Sequence, residues 1–407
     1  MRHAVAVTGI GLISPLGDDH GQVFEWLMAG QSGIRRLPEA LENGVPTAAG
    51  LCDFTPERWF TKLQLAGVDR VSQMAVAAAE LALADAGLAK ADIADAGVYV
   101  GCGMGGAQAL ETAYASHYST RPRVSPLSVV ASMSNAPAAH VAMRFSLTGR
   151  VMTYSMACAS SAVAIGEAAR SIRHREATFA IAGGAEALLV PGVIRAWQSM
   201  QTLATPDLER PHTACRPFSS QRSGLVLGEG SAFLILEELE HARARGATVY
   251  AELSGYGMSC DASHLTRPDP AGQARALRMA LNDAGLYPAD VGYCNAHGTA
   301  TQVGDPTECA ALKEVWGDDL HRLRVSSTKS MHGHLLGAAG ALEAAITVLA
   351  LHHKQMPPTA HCEAPDPECD VPLIRDRSVA TPMLEAAISN SFAFGGNNAV
   401  LAFKSAN

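Results

Sequence analysis

The chain of 407 residues has no excess of positive charge: 31 Lys and Arg stand against 39 Asp and Glu, for a formal net charge of −8. Non-specific nucleic-acid binding draws on counterion release by surplus cations, so composition argues against it. Any acidic partner must meet a local basic patch. Long apolar runs are missing too: no stretch of about 18 uncharged apolar residues occurs, so no membrane span is expected. The start, Met1-Arg2-His3-Ala4-Val5-Ala6-Val7-Thr8, carries an apolar run too short for an export signal. The cysteines at 52, 102, 158, 215, 260, 294, 309, 362 and 369 include no C-x-x-C pair. Neither a metal site nor a disulfide framework is therefore expected, and reduced thiols in a cytoplasmic protein fit best. No G-x-S-x-G elbow is present, which removes the commonest serine hydrolase signature. A G-x-G-x-x-G does occur at Gly101, Gly103 and Gly106. No acidic residue follows it about 20 positions on, so close backbone packing explains it better than a dinucleotide site.

What remains is a globular composition, 48% hydrophobic and 17% charged, able to bury a large core. Short β-branched runs alternate with Ala-rich helical stretches, which predicts an α/β fold with a buried sheet. Strands are expected over 4–8, 97–100, 151–154, 179–182 and 231–236, with helices over 71–86 and 159–174. A second pass repeats the logic: strands over 251–255, 291–295, 324–327, 387–391 and 399–403, helices over 272–284, 306–315 and 337–352. Two similar α/β halves are expected, residues 1–245 and 246–407, sharing an interface without a flexible linker.

Cys158 lies where a predicted strand hands over to a predicted helix, among the small residues of Ala157-Cys158-Ala159-Ser160-Ser161. There the helix dipole and free N–H groups are expected to lower the thiol pKa. Alone, such a cysteine is as readily an inert core residue. Two Gly-flanked histidines alter the balance. His297, in Asn295-Ala296-His297-Gly298-Thr299, and His334, in Lys329-Ser330-Met331-His332-Gly333-His334, both sit at strand-to-helix turns where side chains can converge. Thiol and imidazoles together are what thioester chemistry on a nucleophilic cysteine requires. His332 is expected to point elsewhere.

These motifs, with Ser389-Asn390-Ser391-Phe392-Ala393-Phe394-Gly395-Gly396-Asn397-Asn398, resemble those of β-ketoacyl-acyl carrier protein synthases, and the likeness runs over essentially the whole chain. The resemblance implies the thiolase fold, two α/β halves in five αβαβα layers, usually as a dimer. It implies that Cys158 accepts an acyl chain from the phosphopantetheine of acyl carrier protein, with no permanently bound cofactor. His297 and His334, as neutral donors, would stabilise the enolate left when malonyl-carrier loses carbon dioxide. By the same likeness Lys329 would set the electrostatics around His334, and the N–H groups of Cys158 and Phe394 would form the oxyanion hole. Thr299 and Thr301 would bind the pantetheine arm, Phe394 would gate the tunnel, and Met104 would line the acyl pocket across the dimer. Lys62, Arg121 and Arg123 are candidate docking cations for the acidic carrier.

Departures from the family pattern bear on substrate. Ser219 and Ser223 replace the carboxylates of Asp-x-x-Arg-Asp-Gly, and Asn397 replaces Thr. Ala393 replaces Gly, where a Cβ disfavours positive φ and is expected to change the gating loop. Thiolases use a second cysteine near the C-terminus, which 389–398 lacks, and chain-length-factor subunits lack the nucleophile that Cys158 supplies. Fatty acid elongation is the plainest reading; a ketosynthase of a specialised polyketide or polyene pathway is the alternative, as homodimer or as heterodimer with a chain-length-factor-like subunit.

Overall fold

The computed structural model describes residues 3–406. Its main sheet has ten strands: β1 Val5–Ile13, β2 Gly97–Gly101, β3 Val151–Tyr154, β4 Phe179–Glu186, β5 Gly230–Glu238, β6 Ala251–Cys260, β7 Tyr293–Asn295, β8 Arg324–Ser326, β9 Ala386–Phe392 and β10 Asn397–Ser405. They run β8-β7-β9-β10-β6-β1-β5-β4-β2-β3 across the sheet. The order is two five-stranded series with one internal plan. Outward from the middle, β1-β5-β4 and β6-β10-β9 are antiparallel, and β4-β2-β3 and β9-β7-β8 are parallel. The series join through two residue pairs, Ala6 with Glu252 and Val7 with Ala251.

Five helices complete the layers: α1 Arg70–Asp85, α2 Ser160–Arg173, α3 Pro270–Ala284, α4 Gly304–Trp316 and α5 Ala339–His353. α2 and α5 pack on each other between the two series and touch strands of both, while α1 covers the outer face of one series and α3, backed by α4, that of the other. Strands buried on both faces lose the polar-apolar alternation of a half-exposed sheet, which is why β1, β4 and β9 read as continuous buried runs. Residues Leu336–His353 have a mean hydropathy of 1.3, but 89% of that window is buried, so it is the core of the central layer.

Strand β1 extends past the expected 4–8 because its two glycines do not break it. A Cβ on Gly9 or Gly11 would stand 2.3 or 2.1 Å from a carbonyl oxygen of α1, and one on Gly255 or Gly257 in β6 would stand equally close to α3. The same Gly-x-Gly device seats the outer helix in each half. In the G-x-G-x-x-G stretch, a Cβ on Gly101 would lie 2.1 Å from Ser161 N, so close packing accounts for that glycine.

Candidate active site

Cys158 stands between β3 and α2 on a strained elbow. Ala157 takes φ +46°, and Ser160 Oγ pins the turn by accepting from Met156 N at 2.8 Å and donating to Ala157 O at 2.7 Å. His297 follows β7. Its own N–H and that of Gly298 donate to the two oxygens of Glu308, at 2.9 and 2.8 Å, and Asn390 donates to the same carboxylate. His334 is held by its N–H to Val226 O at 2.7 Å. These turns bring His334 Nε2 within 3.0 Å of Cys158 Sγ and set the two imidazoles edge to face, centroids 5.2 Å apart.

Lys329 is fully buried, ion-paired with Glu343 of α5 and 3.5 Å from His297 Nδ1. Its direct imidazole neighbour is His297, and its charge reaches His334 as well, as the resemblance implied. An ammonium only donates, so it selects the His297 tautomer whose N–H is on Nε2. Burial, then the Lys329 charge, hold both His297 and His334 well below the ordinary histidine pKa. Both are neutral at physiological pH, as expected. His332 also points where expected, its ring nitrogens bonded to Gly333 O at 2.7 Å and Thr328 Oγ1 at 3.0 Å.

The expected low thiol pKa is overturned. Burial pushes Cys158 up to about 12, and the Lys329 charge and Phe394 N–H only partly offset it. Desolvation of the thiolate outweighs a helix whose first turn begins two residues later. The resting group is a thiol 3.0 Å from the His334 imidazole.

Cys158, His297, His334, Thr299, Thr301 and Phe394 all line one cavity of about 400 Å³. The two threonine hydroxyls are 3.0 Å apart. The Phe394 ring stacks on Trp197, centroids 6.1 Å apart. Ala393 causes no strain, because the positive φ angles of this loop fall on Gly395 and Gly396. Met104 is exposed and is not among the residues lining this cavity. Lys62, Arg121 and Arg123 are exposed and do not line it either. The donor atoms of Cys158, His297 and His334 lie within 4.8 Å of one another, a set that a thiophilic cation could bridge.

Several supporting residues escaped the sequence reading. Asp305 accepts from Phe218 N at 2.8 Å and Ala300 N at 3.1 Å, fixing the turn before α4. Buried Arg222 donates to Thr301 O at 3.0 Å and Gln302 O at 3.2 Å and pairs with Asp366 at 2.5 Å. Asp366 thus gives Arg222 a carboxylate partner although Ser219 and Ser223 offer none. Asp305 and Glu308, three apart at the start of α4, were the detectable signal: two acids on a helix turn beside His297.

Two matched α/β series around one helix layer define a thiolase-like fold. Within it, the chain belongs to the β-ketoacyl synthase family: residues 2–242 match the β-ketoacyl synthase N-terminal domain and residues 250–363 the C-terminal domain. It is therefore a condensing enzyme of the acyltransferase class. Over 98% of both chains it is 39% identical to 3-oxoacyl-[acyl-carrier-protein] synthase 2 of Coxiella burnetii. It is 41% identical to nodulation protein E of Rhizobium meliloti, over 99% of this chain and all of that one. Among solved structures, the ishigamide ketosynthase/chain length factor superposes over the full length of both chains with a TM-score of 0.93 at 34% identity.

Proposed function

We propose that this enzyme elongates fatty acyl chains by decarboxylative condensation on acyl carrier protein. The observation that carries the reading is the 3.0 Å approach of His334 Nε2 to the Cys158 thiol, in a cavity shared with neutral His297. Cys158 sulfur attacks the acyl thioester, its proton leaves through His334, and the carrier thiol departs with a proton. In the second half-reaction the malonyl C–C bond to carboxylate breaks and carbon dioxide leaves. His297 and His334 donate to the thioester oxygen of the resulting enolate. The enolate carbon attacks the acyl-Cys158 carbonyl, whose oxygen is held by the N–H groups of Cys158 and Phe394, and the C–S bond breaks to release Cys158 as thiolate, which takes one proton from solvent to restore the thiol. Thr299 and Thr301 bind the pantetheine arm on the way in.

A second subunit fits the free edge of β3, whose Val151 and Met152 are exposed apolar residues, as are Met104, Tyr114, Val129 and Met133 in the segments between β2 and β3. The exposure of Met104 supports its role in a pocket completed across the dimer. Lys62, Arg121 and Arg123 are proposed to meet the carrier, and the free thiols at all nine cysteines suit a cytoplasmic protein.

Likeness to nodulation protein E and to a ketosynthase/chain length factor favours, as a second reading, a specialised acyl pathway with a heteromeric partner. Intact-mass measurement tests the reaction: incubation with acyl-loaded carrier is expected to add one acyl mass to the wild type and none to Cys158→Ala. A panel of carriers then separates the pathways, since free turnover of long saturated chains sinks the specialised one.

A further inference from the structure

The cavity that reaches Cys158 is lined by a single Lys or Arg, Arg267, and a single carboxylate, Glu308. Glu308 is buried and occupied by backbone N–H groups and Asn390. Arg267 is exposed, and its guanidinium has no ion-pair or hydrogen-bond partner among the described residues. It sits on a turn built to present donors. His264 Nδ1 accepts from the N–H groups of Thr266 and Arg267, each at 3.1 Å, which leaves the ring proton on Nε2. His264 and Thr266 line the same cavity. The turn is fastened to the loop after Phe394, with Gly395 N donating to Leu265 O at 2.7 Å and Asp261 N to Gly396 O at 2.9 Å. Arg267, His264 and Thr266 therefore line one rim, and the one carboxylate among the described lining residues, that of Glu308, is already occupied.

In a chain of net charge −8, an unpaired cation at the mouth of this cavity attracts an anion by charge. We infer that His264, Thr266 and Arg267 bind the phosphate diester of the pantetheine arm as it enters. The inference rests on the condensing function proposed above. Carrier-borne phosphopantetheine is the source favoured here; coenzyme A offers an anionic pantetheine phosphate too, within a diphosphate linkage.

The test compares acyl thioesters of pantetheine, phosphopantetheine, coenzyme A and carrier on the wild type, Arg267→Gln and Arg267→Lys. The wild type is expected to prefer phosphopantetheine to pantetheine by about tenfold in kcat/KM, the worth of one charge-assisted hydrogen bond. Arg267→Gln should erase that preference while leaving the pantetheine rate unchanged, Arg267→Lys should keep part of it, and the carrier-borne thioester should show the same loss. A preference that survives in Arg267→Gln overturns the site, as does equal loss on pantetheine. Loss confined to the carrier points to its acidic surface, and loss confined to coenzyme A removes the carrier as source; either outcome overturns the assignment. Failure of the condensing function itself reads differently, as the absence of any acyl adduct on wild-type Cys158 with every thioester.

Discussion

The two halves of the molecule share a strand order and a helix plan but place different chemistry at equivalent turns. The turn from β3 into α2 delivers Cys158 after one strained residue, whereas the matching turn from β8 toward α5 interposes the short helix Lys329–His332 and delivers Lys329 and His334. The turn after β2 carries Met104 to an exposed face, and its counterpart after β7 carries His297 into the cavity. The framework fixes where a turn ends, and the side chains on it decide what it does. One half supplies a buried neutral thiol; the other supplies a buried ion pair and two neutral imidazoles.

Breaking the buried charge should have the largest effect. Lys329→Ala leaves Glu343 unpaired in the central layer and is expected to cost about 3–5 kcal/mol in urea unfolding. Removing Glu343 as well should recover part of that loss, and an additive double variant would contradict the pairing. Next, His297→Ala should slow carbon dioxide release from malonyl-carrier by about 10²–10³-fold while acylation of Cys158 proceeds. Equal loss of both steps would end the division of labour between the halves.

The smallest effect concerns Glu186, which joins them. This carboxylate, at the end of β4, accepts from Gly103 N, Met104 N and Gly337 N at 2.9, 3.1 and 3.0 Å. Burial lifts it from 4.5 to about 7, against the pull of those three N–H donors. Between those values the folded state binds a proton that the unfolded chain has released, so this group's contribution to stability falls as pH rises through the window. Relative to Glu186→Gln, the wild type should lose up to about 3 kcal/mol in urea unfolding from the lower to the upper side of it. A difference independent of pH would show that the carboxylate does not titrate there.

Much of this was legible from sequence because it is local. Strand 151–154 is found where expected, the core helices lie within a few residues of their apolar patterns, and Cys158, His297 and His334 announced themselves by small neighbours and turn position. What stayed hidden depends on distant partners. Glu343 read as one residue of an Ala-rich helix, and only packing sets its carboxylate against Lys329. Asp366 stands 144 positions from Arg222, so no spacing rule links them. The Cys158 pKa went the wrong way because a helix start is visible in sequence and the depth of burial is not. The kinship of the halves was faint for a related reason: Gly9-x-Gly11 and Gly255-x-Gly257 look like strand breakers until the outer helices are seated on them.

The placement of thiol, imidazoles and rim in a single cavity dictates a timetable. On the roles proposed above, both thioesters pass through the same doorway to the same sulfur, so the spent carrier withdraws before the malonyl-bearing one enters. Double-reciprocal rate plots should accordingly run as parallel lines.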